Sequence, residues 1–105
     1  MCYGRLKKQS DFDRIFKSGK RAFASSLTLV YKPSKEPLMG ISVGKRHGKS
    51  VQRNRIKRLI REAFRSVEKE IKGAYSIVIV PKVSEEYSFF TFEKHLKEII
   101  SKEKL

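Results

Sequence analysis

Eight cations and no acid lie between Gly44 and Arg61, and most of them sit on a segment whose apolar residues return at helical spacing. The cations are Lys45, Arg46, Lys49, Arg53, Arg55, Lys57, Arg58 and Arg61. After Ser50 the residues Ile56, Leu59, Ile60, Ala63, Phe64, Val67 and Ile71 recur at steps of three and four, which places them on one stripe of an α-helix. Ser50 is expected as the N-cap and Gly73 as the stop, so the helix should run to about Lys72. Arg53, Asn54, Lys57, Arg58, Arg61 and Arg65 fill the adjoining arc. Such a helix packs on one side and presents guanidinium groups on the other.

The charge is placed against local preference. A helix N-terminus carries partial positive charge and favours acids, yet this one opens with Arg53, Arg55, Lys57 and Arg58; each exposed cation there costs up to about 1 kcal/mol. Acids arrive only at Glu62, Glu68 and Glu70. An anionic ligand would remove the conflict.

The chain's 105 residues suit one compact domain, residues 1–105, and 25 Lys plus Arg against 11 Asp plus Glu leave a net charge of +14. That balance favours a nucleic-acid partner over a membrane or an acidic protein. The longest apolar run, Ile77 to Val80, is far too short to span a bilayer. Met1-Cys2-Tyr3-Gly4 leads straight into charges, which does not read as a secretory leader. A single cysteine, Cys2, excludes an internal disulfide and fits a reducing cytoplasm.

In chain order, Arg5, Lys7 and Lys8 form a basic arm, open to reading as a solvated tail or as an RNA contact. A short helix is expected from Ser10, capped by Ser10 with Asp13 and ended by Gly19. It places Phe12, Ile15 and Phe16 on one face, either as core or as the lining of a groove for an unstacked base. Leu27, Leu29 and Tyr31 alternate with Thr28, Val30 and Lys32, the period of a half-buried strand. Ala22 to Ser25 suggests a shorter strand before it.

Pro33 to Pro37 is turn material, and Leu38 to Val43 supplies a return strand thinned by Gly40 and Gly44 where something is expected to approach closely. Tyr75 to Val80 is almost continuously apolar, as expected of an interior strand. Phe89, Phe92, Leu96, Ile99 and Ile100 mark a last helix of about Ser88 to Lys102. The expected fold is α+β, with helices packed on a four-stranded sheet in the order α-β-β-β-α-β-α.

No protein active site can be assembled from these residues. Cys2, His47 and His95 lack metal-ligand spacing, no nucleophile-histidine-acid pattern appears, and Gly40 and Gly44 with Lys49-Ser50 miss the spacing of a phosphate loop. His95 reads as a surface or packing residue; His47, within the basic loop, could contact RNA or simply be exposed. The expectation is no catalytic residue and no metal site on the protein.

The segments Gly40-Ile41-Ser42-Val43-Gly44-Lys45-Arg46 and Gly48 to Arg65, with Arg53-Asn54-Arg55 at their centre, closely resemble the signature of the bacterial ribonuclease P protein component. Asp11-Phe12, Ile15-Phe16 and Gly19 are similar to that family's opening helix, and Tyr75 to Pro81 to its last strand. The resemblance implies a protein subunit of an endoribonuclease, acting in the cytoplasm. A catalytic RNA with its own bound magnesium ions would cleave the 5′ leader from precursor tRNA.

It further implies that Arg53, Asn54, Arg55, Lys57, Arg58 and Arg61 face RNA, and Lys45, Arg46 and Lys49 are expected to bind RNA with them as members of the same unbroken cationic run. Phe12 and Phe16, with Tyr31 or its neighbour Val30, would line a cleft for the leader. The partners would be ribonuclease P RNA and precursor tRNA, with no obligate protein partner. An unusual left-handed strand-helix-strand connection is also implied, where general rules favour the right-handed one. A ribosomal structural protein would share the charge but not the processing role, and a helix-turn-helix regulator would need a helix where this sequence has a strand and a loop.

Overall fold

The computed structural model describes residues 2–105. Its centre is a sheet ordered β1-β4-β5-β3-β2, built from β1 (Gly4–Arg5), β2 (Lys20–Phe23), β3 (Leu27–Pro33), β4 (Leu38–Ile41) and β5 (Tyr75–Pro81). The apolar run Tyr75 to Val80 becomes β5, flanked by parallel β4 and antiparallel β3. The expected four strands are therefore corrected to five. The additional one, β1, pairs only Gly4 with Leu38 and Arg5 with Met39, too short to produce any alternation in sequence.

Among the described residues three α-helices cover the sheet: α1 (Gln9–Ser18), α2 (Ser50–Val67) and α3 (Phe89–Glu103). Strand alternation divides the apolar residues between two faces. Leu27, Leu29, Tyr31, Met39, Ile77 and Ile79 meet Ile56, Ile60, Phe64 and Val67 of α2 and Phe92 and Leu96 of α3 in the larger core. On the opposite face, Val30 and Val78 meet Ile15 of α1 and Leu6, with Phe12 and Phe16 packed against them. Among the described residues no helix is long and apolar enough to cross a membrane.

The connection from β4 through α2 to its parallel neighbour β5 is left-handed. Ile79 turns its side chain to the α2 face while its carbonyl accepts the Ser42 N–H on the β4 side. For L-residues that combination puts β4 to the right of β5 when both strands run upward and α2 faces the viewer. The chain thus steps leftward, opposite to the common crossover.

The helix ends depart from the expected caps. Lys8 is the N-cap of α1, with no side-chain capping bond; its carbonyl takes the Asp11 and Phe12 N–H groups, and Asp13 instead accepts from Gln9 Nε2 at 3.1 Å. Ser10 lies inside the first turn. In α2 the cap position falls on Lys49, not Ser50, because a 3-10 turn of Lys45–His47 and Gly48 at φ 108° deliver the chain one residue earlier. The helix also stops at Val67 rather than near Lys72. Glu68–Glu70 tighten into a 3-10 turn, which turns Ile71 into the core, and the Lys72 N–H donates to the Leu105 carbonyl at 2.8 Å.

Candidate nucleic-acid interface

The apolar stripe of α2 is consumed by the core, with Ile56, Ile60, Ala63 and Val67 fully buried. The basic arc is left outside. Lys45, Arg46, Lys49, Asn54, Arg55 and Arg58 are exposed, and Arg53, Lys57 and Arg61 are half-buried. The ion pairs among the described residues are Arg14 with Asp11 and Lys20 with Glu103. None involves the basic segment, so its field is not neutralised by the protein's own carboxylates. Arg53 Nε is enclosed without a hydrogen-bond partner among the described residues.

Part of this arc forms one wall of a groove of ≈ 860 Å³ at the sheet edge. Asn54, Lys57, Arg58, Arg61 and Arg65 line the α2 side; Arg5, Leu6 and Lys7 line the other; Phe12, Met39, Gly40 and Ile41 line the floor. The groove exists because β1 is short. Leu6 still donates its N–H to the Met39 carbonyl, but the chain then turns into α1 and leaves Ile41, paired with Ile79 of β5 on its other side, without a strand on the β1 side. Two residues beyond Met39, Ile41 directs its peptide groups to the same open side. Burial, and then the facing charges of Arg5 and Arg65, push the Arg61 guanidinium below its ordinary value.

Phe12 belongs to both halves of the site. It is half-buried on the inner face of α1 and also lines the groove beside the α2 cations. Phe16 lies one turn farther along α1, packed on the same sheet face. Arg21 stands 6.0 Å over its ring and donates Nη2 to its carbonyl at 3.2 Å. Phe23, two residues along β2 from Arg21 and 65 % exposed, extends that face outward.

Tyr31 does not join them, which corrects its expected place in the cleft. It points to the opposite face, is 8 % exposed, and donates its hydroxyl to Glu103 Oε1 at 2.6 Å. The sheet residue beneath α1 is Val30, fully buried. Lys45, Arg46, Lys49, Arg53 and Arg55 lie outside the groove, at and before the first turns of α2.

The histidines are engaged locally. His47 Nδ1 meets the Tyr87 hydroxyl at 2.7 Å, and His95 Nδ1 meets Ser26 Oγ at 2.5 Å. The basic arm is tied down: the Tyr3 hydroxyl donates to the Gly73 carbonyl and its N–H to Glu68 Oε2. Arg65 is a groove cation outside the residues expected to face RNA, and Arg5 and Lys7, left open between a solvated tail and an RNA contact, line the groove with it. For Arg65 the signal was present, since it continues the helical arc of Arg58 and Arg61. For Arg5 it was absent, because no spacing relates it to α2.

Comparisons with known proteins agree along the chain. The family model described as Ribonuclease P matches residues 3–104. The ribonuclease P protein component of Clostridioides difficile is 38 % identical over 102 residues, covering 92 % of this chain and 89 % of that protein. The Bacillus velezensis protein of the same name is 37 % identical over 105 residues, covering 96 % and 90 %. Among solved structures, the RNase P protein from Thermotoga maritima superposes with a TM-score of 0.82 at 28 % identity, covering 93 % of this chain and 96 % of that one. The Staphylococcus aureus RNase P protein gives 0.81 at 30 % identity, covering 99 % and 97 %.

Proposed function

The chain belongs to the ribonuclease P protein family, and from that premise we propose that it assists a catalytic RNA in removing the 5′ leader from precursor tRNA. In this reading the RNA, with its own magnesium ions, performs the hydrolysis in the cytoplasm, and the polypeptide supplies binding. The observation that carries it is the juxtaposition of Phe12 with the unpaired cations of α2 in one groove. An aromatic ring accepts any unstacked base on its face, and guanidinium groups neutralise phosphates and release counterions. A single surface can then hold two polyanions that otherwise repel.

The leader lies on Phe12 and Phe16, on the sheet face that carries Val30. Lys45, Arg46, Lys49, Arg53, Asn54, Arg55, Lys57, Arg58 and Arg61 engage the catalytic RNA and the tRNA beside it. Phe16→Ala, assembled with ribonuclease P RNA, tests this directly. Affinity for precursor tRNA falls and affinity for mature tRNA, which has no leader, stays within twofold. Equal losses for both ligands would remove leader recognition from the account.

A further inference from the structure

We propose that Arg5 and Arg65 complete a phosphate-binding cluster with Arg61, so that the groove between β1 and α2 seats the sugar-phosphate backbone of one RNA strand as it crosses the sheet edge. The inference rests on the RNA-binding reading above and extends it to the N-terminal arm.

Three observations support it. Arg5 is placed opposite α2 by backbone pairing: Arg5 aligns with Met39, and its neighbours Gly4 and Leu6 donate their N–H groups to the Pro37 and Met39 carbonyls at 2.8 and 3.0 Å. It is therefore positioned as part of the sheet. Second, the acid on the groove wall, Glu68, is turned to the Tyr3 N–H at 3.2 Å, and neither Arg5, Arg61 nor Arg65 has a carboxylate partner among the described residues. Third, Arg5, Arg61 and Arg65 line the same groove, where burial first and then the charges of Arg5 and Arg65 disfavour the charged form of Arg61.

Like charges gathered around a partly desolvated member are unfavourable until an anion enters. A bound phosphate supplies that anion, and guanidinium groups present donors suited to its oxygens. The opening beyond Leu6 lets a strand continue past the edge toward Phe12 rather than end in the groove. The shared chemistry is a phosphodiester, contributed by either the catalytic RNA or the precursor.

The test measures Arg5→Ala, with Arg5→Lys as its charge-keeping control, and Arg65→Ala, with Arg65→Lys as its own, for binding of a bacterial ribonuclease P RNA, and of precursor tRNA to the assembled holoenzyme, across a salt series. Each lost phosphate contact should weaken binding about five- to eightfold at 0.1 M salt and reduce the log-log salt slope by about 0.7–0.9. The lysine controls keep the slope. Melting temperatures should hold, because Arg5 and Arg65 are exposed and have no carboxylate partner among the described residues.

Loss toward the ribonuclease P RNA alone assigns the strand to the catalytic RNA; loss only toward precursor tRNA assigns it to the substrate. Unchanged affinity and slope in both arms, while Arg58→Ala still weakens binding, would overturn the proposal and leave the α2 reading standing. If Arg58→Ala is silent too, both fall.

Discussion

The ring of Phe12 occupies the space that a side chain at Gly40 would need: a Cβ built on Gly40 would stand 2.5 Å from the tip of that ring and 3.1 Å from Leu6 Cβ. The glycine is required by close approach, since it brings an aromatic residue of α1 down to the floor of the groove.

Gly40→Ala should therefore act through Phe12. The ring tip can swing aside, so the protein folds, at a cost on the order of 1–3 kcal/mol for overpacking. Affinity for precursor tRNA should drop while affinity for ribonuclease P RNA holds. Urea unfolding with parallel binding titrations checks this, and full leader affinity in the variant would contradict it.

Replacing Arg58 and Arg61 with Ala removes two cations that no carboxylate of the described residues neutralises. If roughly six phosphates are engaged, the wild-type log-log salt slope is about −4 to −5, and the double variant should be shallower by about 1.4–1.8. Binding measured from low to high salt gives both slopes. A shared slope would mean these side chains do not meet phosphate.

Tyr31 should prove structural. Its hydroxyl, ahead of the opposing effect of burial and the smaller help of Lys20, holds Glu103 below its ordinary value of 4.5. A depressed carboxylate stabilises the fold above pH 4.5 and loses that contribution as pH falls through the lower folded value. Tyr31→Phe should lose stability above pH 4.5 and show a flatter decline below it, with leader affinity unchanged. Thermal melts across pH 2–7 decide the first part; weakened leader binding would return Tyr31 to the cleft.

The reach of the sequence can be judged from particular residues. The stripe from Ile56 to Val67 and the cations beside it were legible because an 18-residue helix repeats its period several times. Its cap was not, since Lys49 takes that place only through the turn closed by Gly48. Alternation separated Val30 from Tyr31 but did not say which face carries α1. A two-residue strand has no period, so β1 and the meeting of Arg5 with Arg61 arise only when the chain closes on itself.

The most direct measurement adds the purified protein to a bacterial ribonuclease P RNA at magnesium too low for the RNA alone and follows cleavage of precursor tRNA. The account predicts that the wild-type chain restores 5′ processing and that the Arg58, Arg61 double alanine variant restores much less. A folded wild-type protein that leaves the rate at the level of RNA alone would contradict it.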